Sequence, residues 1–507
     1  SSQQAIISWN SFNVGSSSKV NFNQPSASAT TLNKIFDARP SQIFGQINAN
    51  GKIILQNSAG IYFGPSSTLN VGSIVATTGT ISNQDFLNNK FNFSRNNSTG
   101  NIVNEGSLKA IDNFVALLAP NIRNEGLIFA EKGSIVLSTG DEVTLNFQNN
   151  GYLSSIVSTP SSINSLIQNN KAIEAPGGQI ILSARAISDL VSGVINQNGT
   201  INSGSKASVV VNQGGKIFLE ASSIKMSSNS STTSKAKDIG GDISIIGKEI
   251  SIDNNSVIDA SGNSAGNIKI LSNQENLEIK NSIIRSNSQL GDAGAIALSA
   301  VKNFLISGST IEATGTNKGG KILLGYDFAG QSLPFAQNAS FDENTYINAS
   351  SRNGAGGFVE TSGQTLYIRS RINAGRGGQW LVDPFDLTID ATAAGLIVSA
   401  INSGSNVSLT TSTQNYNSYS LTGVEGLGNI NLNSPIVATG EGTLSLTAAN
   451  NIYLNKIIDL SGTASSLTLN AGNTIYYTSN VTTKNNQTYT GVSHQISSQS
   501  TLQSKNG

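Results

Sequence analysis

Apolar and polar residues alternate along this chain in runs of only four to six, and Gly, Asn and Ser break the runs. Asp242 to Ile246 alternates; after Gly247, Glu249 to Asp253 alternates again; after Asn254-Asn255 comes Ser256 to Ala260. The next segments read likewise: Asn267 to Leu271, Asn276 to Lys280 and Ser282 to Arg285, then Ala295 to Ala300, Asn303 to Ser307 and Ser309 to Ala313. A period of two puts successive side chains on opposite faces of a strand. Each segment therefore predicts three short strands and three turns. Ile243, Ile245, Ile250, Ile252, Val257 and Ala260 fall on one face of the first set. Three strands with one apolar face each wind into a triangular coil with that face inside.

The coils repeat. A glycine-led phrase recurs as Gly177-Gly178-Gln179-Ile180, Gly214-Gly215-Lys216-Ile217, Gly240-Gly241-Asp242-Ile243, Gly266-Asn267-Ile268, Gly294-Ala295-Ile296, Gly319-Gly320-Lys321-Ile322 and Gly356-Gly357-Phe358. Its apolar residue falls at 180, 217, 243, 268, 296, 322 and 358, so the commonest step is 25 to 28 residues. That period marks a solenoid. A propeller blade needs about 40–45 residues, and a sandwich would not hold one phrase in one register. The prediction is an all-β, right-handed parallel β-helix, with coils stacked about 4.8 Å apart and a rod on the order of 100 Å long. Gly and Asn suit its corners, which often need positive φ. Helix is expected only at Ser162–Gln168 and Ala391–Ile401.

Composition agrees and narrows the function classes. Charged residues are 12% and apolar ones 37%, too apolar for a disordered chain. The 30 basic and 30 acidic residues cancel, so no bulk field draws nucleic acid. The absence of Cys removes disulfides, thiolate metal sites and a Cys nucleophile, while leaving secretion open. The longest apolar stretch, Phe114 to Ala119, is far short of a membrane span. The start at Ser1 reads as a processed or trimmed N-terminus.

The pattern divides the chain into residues 1–155, 156–390 and 391–507. The first part has less regular coils. Phe86 to Ser98 and Asp141 to Tyr152 within it read as short hairpins or extra strands outside the main coil. The second carries the clean repeat. The third is expected to be irregular β-helix, with a polar tail fraying from Thr482.

The first 140 residues carry an ordered set of specific phrases. They include Ala5-Ile6-Ile7-Ser8-Trp9-Asn10, Gln24-Pro25-Ser26-Ala27, Gln42-Ile43-Phe44-Gly45-Gln46-Ile47, Asn48-Ala49-Asn50-Gly51-Lys52-Ile53, Gly60-Ile61-Tyr62-Phe63-Gly64 and Val103-Asn104-Glu105-Gly106. In this order they resemble the filamentous haemagglutinin-type secretion domain of two-partner secretion exoproteins. Gly356-Gly357-Phe358-Val359-Glu360-Thr361-Ser362-Gly363 and Trp380-Leu381-Val382-Asp383-Pro384 extend the likeness to high-molecular-weight adhesins of that family. The resemblance implies export through a dedicated outer-membrane β-barrel transporter, which recognises the secretion domain, and folding outside a Gram-negative cell. It places the secretion determinant at Asn48, Asn50, Gly51, Asn57, Gly60 and Gly64. The chain departs from the family in carrying Asn57-Ser58-Ala59-Gly60 where Asn-Pro-Asn-Gly is usual, and in lacking Asn-Pro-Asn-Leu.

Catalysis was weighed against this reading, because β-helices also serve as lyases and hydrolases. Asp383, Asp386 and Asp390 are the only clustered carboxylates that invite it; a structural turn is the expectation. Arg369, Arg371 and Arg376 read as a solvated basic face, and His494 as an exposed tail residue. Asn-x-Ser/Thr sequons, Asn92 among them, are as frequent as so Asn- and Ser-rich a chain produces by chance. No enzyme, cofactor or metal is predicted. The leading expectation is a secreted surface adhesin with an unidentified receptor. The alternatives are a haem- or host-protein-binding exoprotein, with the Tyr326 to Asn344 excursion as its pocket, and the stalk of a contact-dependent inhibition toxin.

Overall fold

The structure, a computed structural model, describes every residue except 1, 112, 149–152, 206–209, 331, 413–425, 463–464 and 506–507. It divides into two units, Ser1–Ala260 and Ser261–Gly507. Each is a right-handed parallel β-helix.

In the first unit one residue per coil stacks inside a continuous ladder: Ile53, Ile74, Val115, Ile135, Ile180, Ile217 and Ile243 lie opposite one another in successive parallel strands. All are at most 1% exposed. In the second unit the ladder runs Ile268, Ile296, Ile322, Val359, Trp380, Val407, Leu444 and Leu467. Burying each such side chain contributes roughly 2 kcal/mol, and a one-residue slip would turn the whole set outward.

The register corrects two inward assignments. Val359, not Phe358, stacks on Ile322; Phe358 lies opposite Lys321 and points out. Ile258, not Val257, lies inside and opposite Thr232. In both places two adjacent apolar residues offered either face, and only coil-to-coil pairing selects one. The first two strands of a coil also merge. Asp242–Ile252 is one strand that bends at Gly247, and Lys216–Met226 is its counterpart.

Positive φ is confined to some corners, such as Asn254 (52°) and Asn255 (60°). The glycine-led phrases need their second Gly for a different reason. A Cβ on Gly215 would overlap the Gly178 carbonyl, and one on Gly241 the Gly215 carbonyl. Neither sits at positive φ. Adjacent coils are simply too close there for any side chain.

The extra strands of residues 86–158 form a separate antiparallel sheet rather than two hairpins. Glu142–Phe147 lies between Phe91–Ser94 and Leu153–Ser158. Phe86, Phe93, Val143, Leu145 and Leu153 cover Leu32, Ile54, Val75, Phe114, Ala116 and Val136 on the outer side of the coil. Coil strands here are thus buried on both faces, and Phe114–Leu118 and Ser134–Ser138 have no exposed residue. Arg95 anchors the sheet: its Nε is 2.7 Å from Asp141 and its Nη2 donates to Ser162.

Of the two expected helices, one forms. Ala391–Asn402 is helical, with Asp390 accepting the Ala393 N–H as its N-cap. Ser162–Gln168 is not. Ser165–Asn169 is a strand between Asn121–Asn124 and Gly193–Gln197, because pairing on both edges outweighs the weak helical spacing of so short a segment. The tail is also more ordered than expected: Val481–Thr483, Gln487–Thr490, Ser493–Ile496 and Leu502–Ser504 each pair with the preceding coil.

Candidate secretion-determinant corners

The strand Gln46–Asn57 turns a corner of the coil without stopping. Gln46–Ala49 pairs with Lys19–Phe22, and Lys52–Asn57 with Thr30–Ile35. Against the next coil the register shifts between Ala49 and Lys52, so Asn50 and Gly51 stand against one residue. This bulge bends the strand.

Two side chains lock the bend. Asn50 accepts the Gln24 N–H at 2.7 Å and donates to the Gln24 carbonyl at 2.8 Å, standing in for a neighbouring strand. Gln24 answers: its Oε1 accepts the Gly51 N–H at 2.9 Å, and its Nε2 donates to the Lys52 and Ala29 carbonyls. A Cβ on Gly51 would lie 2.6 Å from the Ala29 carbonyl and 2.8 Å from Gln24 Oε1. Asn48 stacks outside the coil, donating to Asn21 at 3.0 Å and lying opposite Asn70. Asn21, Asn48, Asn50 and Asn70 line a shallow groove with Phe22 and the exposed Ile111.

Asn57 makes the next corner. Fully buried, it donates to Ser41 Oγ at 3.0 Å and the Arg39 carbonyl at 3.2 Å, and accepts the Ala59 N–H at 3.0 Å. The last bond closes an Asx turn. Gly60 follows at φ +124°, with the Asn101 carbonyl 2.9 Å from where a Cβ would stand. A Cβ on Gly64 would collide with the Phe44 ring, which packs edge-on against Tyr62. The structure thus brings Asn48 and Asn50 together on one groove. Asn57, Gly60 and Gly64 do not line it; they shape the adjoining corner.

Sequence reasoning missed two features. Gln24 is the hub of the first corner, and its only signal was its place beside Pro25. The second is an amide ladder inside the coil. Asn104 donates to Asn124, Asn124 to Asn169 and Asn169 to Gln197, each at 2.8 Å, and all four are fully buried. Each also donates to a strand carbonyl of the next coil: Leu127, Ala172, Thr200 and Ser231 in turn. The repeated Asn-Glu-Gly at 104–106 and 124–126 was the legible sign.

The three aspartates weighed for catalysis do not act together. Asp386 accepts the Leu427 and Asn429 N–H groups, and Asp390 caps the helix. Asp383 is fully buried, and neither of its carboxyl oxygens has a partner. Burial first, then the charge of Glu360, pushes it up to about 8. Arg371 lies over the Tyr346 ring and Arg376 pairs with Glu441. His494 is exposed but in register, with Nδ1 3.1 Å from the Tyr477 hydroxyl. The described residues of the 326–344 excursion pack on one another and on the adjoining coils: Phe335 packs against Tyr326 and Phe385, and Asp327 binds Gly330, Ser332 and Lys321. Among the described residues no group of three metal-ligating side chains converges, and no helix is long and apolar enough to cross a membrane.

Known proteins match the region that holds the two corners. The family model of the TPS secretion domain matches residues 1–232. A heme/hemopexin-binding protein of Haemophilus influenzae strain Rd is 29% identical over 233 residues, covering 44% of this chain and 25% of that protein. A second Haemophilus influenzae heme/hemopexin-binding protein is 27% identical over 265 residues, covering 48% of this chain and 28% of its own. The chain thus spans about a quarter of the length of the curated relatives it matches. The crystal structure of the HMW1 secretion domain from Haemophilus influenzae aligns with 80% of this chain and 94% of its own at 21% identity, with a TM-score of 0.45. Residues 1–232 of this chain are thus similar to the TPS secretion domain.

Proposed function

We propose that this chain belongs to a two-partner-secreted exoprotein, delivered across the outer membrane of a Gram-negative bacterium by a β-barrel transporter. The match of residues 1–232 to the TPS secretion domain carries the reading. Within that domain the two corners are the transporter's recognition determinant. The groove of Asn21, Asn48, Asn50 and Asn70 supplies exposed amides, and Asn57 holds the adjoining turn in shape. The chain should reach the medium only when co-expressed with its transporter. Asn50→Ala, which removes both an exposed amide and a lock of the bend, should lower the secreted fraction, and Asn57→Ala should lower it through the corner's shape alone. Undiminished secretion of both variants would remove the assignment.

Once outside, the coil serves as a binding scaffold, and no catalytic activity is proposed. The names of both curated relatives favour haem or a haem-carrying host protein as its target. A Soret-band titration with haem and a pull-down with hemopexin test that choice. Attachment to cells rests on the phrases at 356–363 and 380–384, and a cell-binding assay with the purified chain tests it.

A further inference from the structure

Within the second unit, the stack of coils opens at one place. On the first face, Gln379–Asp383 pairs directly with Asn406–Thr410, and the ladder is unbroken. On the third face, the helix Ala391–Asn402 takes the place of a strand between Arg371–Asn373 and Ile436–Val437, and contacts both. A helix is about 10 Å wide, where a strand takes about 4.8 Å. It acts as a wedge. On the second face the result is a gap. Thr365–Ile368 pairs on one side with Asn338–Phe341, and Leu387–Ile389 on the other with Ile430–Leu432. Among the described residues these two strands do not pair with each other. The bond from Phe385 N–H to the Gln364 carbonyl, at 3.3 Å, is the last across.

The gap holds a cavity of about 530 Å³. Leu366 and Ile368 are core positions, opposite Ala339 and Phe341, which are at most 1% exposed. Yet both are half-exposed, because the coil that should cover them is lifted away. Among the described residues the strand edges on both rims are unpaired. The Thr365 and Arg369 N–H groups bond the preceding coil, at the Gln337 and Phe341 carbonyls. Alternate residues of a parallel strand serve opposite neighbours, so the peptide groups of Leu366 and Ile368 face the gap. Across it, Leu387 and Ile389 bond the following coil, which leaves Thr388 facing inward. Gln364, 8% exposed, also lines the cavity, and its Nε2 has no partner. Arg369 is exposed on the same rim, without an ion pair among the described residues.

We propose that this gap is a docking site for an extended peptide segment of a partner protein, inserted as a strand between Thr365–Ile368 and Leu387–Ile389. A peptide satisfies both free edges, which an apolar small molecule would leave unmet. Its inward side chains, apolar at alternate positions, complete the core over Leu366 and Ile368. Running parallel to Thr365–Ile368, it brings its C-terminal end to Arg369, where an acidic residue is favoured; Asp390, on the facing rim, caps the helix Ala391–Asn402, whose N-terminal dipole offsets its charge.

The probe is a fluorescein-labelled peptide alternating Val and Thr and ending in Asp, read by anisotropy against the full chain. Saturable binding is expected, with new hydrogen-exchange protection of the Leu366 and Ile368 amides. A peptide of the same composition with its Val residues paired should not bind. Ile368→Pro removes a gap-facing N–H together with an apolar side chain that the peptide would cover, and should weaken binding at least tenfold; Thr388→Pro, at an exposed side chain, removes a gap-facing N–H from the other rim and should weaken it roughly tenfold. Arg369→Gln should weaken binding and remove its salt dependence. Absence of peptide binding, or binding that leaves the Leu366 and Ile368 amides unprotected, overturns the proposal. So does binding of palmitate in place of the peptide, which would make the cavity a small-molecule site.

Discussion

Asp383→Asn should stabilise the protein, and only above about pH 4. The wild-type carboxyl ends the strand Gln379–Asp383, fully buried with neither oxygen bonded. The carboxylate facing it is Glu360, itself raised to about 7 by burial, though the Phe328 N–H and the Ser362 hydroxyl donate to it. Asp327 adds negative charge beyond, partly offset by Lys321. With Asp383 at about 8 in the fold and about 3.9 unfolded, the folded chain holds a proton the unfolded chain releases. Its contribution is therefore fully present below about pH 4, falls as pH rises, and is lost by about pH 8. The slope is about 1.4 kcal/mol per pH unit. The full span sets a ceiling of roughly 6 kcal/mol, and relaxation of the site reduces that to about 3. Asn has the same shape and no proton to lose. At pH 8 the variant should melt roughly 3–6 °C higher than wild type, and at pH 4 at the same temperature. Melting followed by far-ultraviolet circular dichroism from pH 4 to 9 measures this. Parallel curves for the two proteins would refute the reasoning.

Other perturbations test the first unit. Asn124→Ala cuts the amide ladder and leaves the Asn169 carbonyl oxygen, the Ala172 carbonyl and the Gly126 N–H to find new partners. It should destabilise by about 4 kcal/mol in denaturant titrations, and a loss under about 1 kcal/mol would show that water replaces the amide. Asn57→Ala should cost about 2 kcal/mol and expose the Ala59 amide to faster hydrogen exchange; unchanged exchange would deny the Asx turn. Gly51→Ala forces a methyl against the Ala29 carbonyl and Gln24 Oε1. It should destabilise by roughly 1–3 kcal/mol, and the same substitution should cost less when introduced into Gln24→Ala, itself destabilised by the loss of the Gln24 bonds, because one of the two obstacles is gone.

The alternation and the glycine-led phrase were enough to read the coil, because each stacked residue obeys one local rule. The failures lie where two local readings were equally good. Phe358-Val359 and Val257-Ile258 each offer two apolar residues, and register chooses between them. Ser165–Asn169 has the spacing of a short helix and the pairing of a strand. The covering sheet was visible only indirectly. Phe114 to Ala119 is apolar without alternation, and that signals burial on both faces. At the corners, the six residues named from the resemblance each have a definite structural place, and Gln24 beside them was not legible. Its contacts, at Asn50, Gly51 and Lys52, are 26 to 28 residues away. The free edges beside Thr365–Ile368 could not be read at all. They exist because the helix Ala391–Asn402 is thicker than the strand it replaces.

The distribution of these features bears on how such a chain would fold after crossing a membrane. A coil contacts only its neighbours, so each new one needs a finished surface to add to, and the first coils have none. In this chain the early coils carry additional stabilisation. The sheet of 91–158 buries the outer side of Leu32, Ile54, Val75 and Phe114, giving strands there a second apolar face. The amide ladder from Asn104 to Gln197 ties four successive coils through bonds inside the core. Beyond Gln197 the ladder position is apolar, Met226 and then Ile252, and serines tie the coils at other positions: Ser203 reaches Ser234, and Ser230 reaches Ser256. A shorter side chain spans one coil boundary with fewer bonds, which suffices where a folded surface already exists. Residues 1–232 are thus suited to fold first, and the corners at Asn50 and Asn57 lie within that segment, near its start. On the proposed function, the determinant and a template for the later coils then occupy the same stretch of sequence. Weakening the ladder should therefore slow the appearance of folded protein outside the cell even where the corners remain intact.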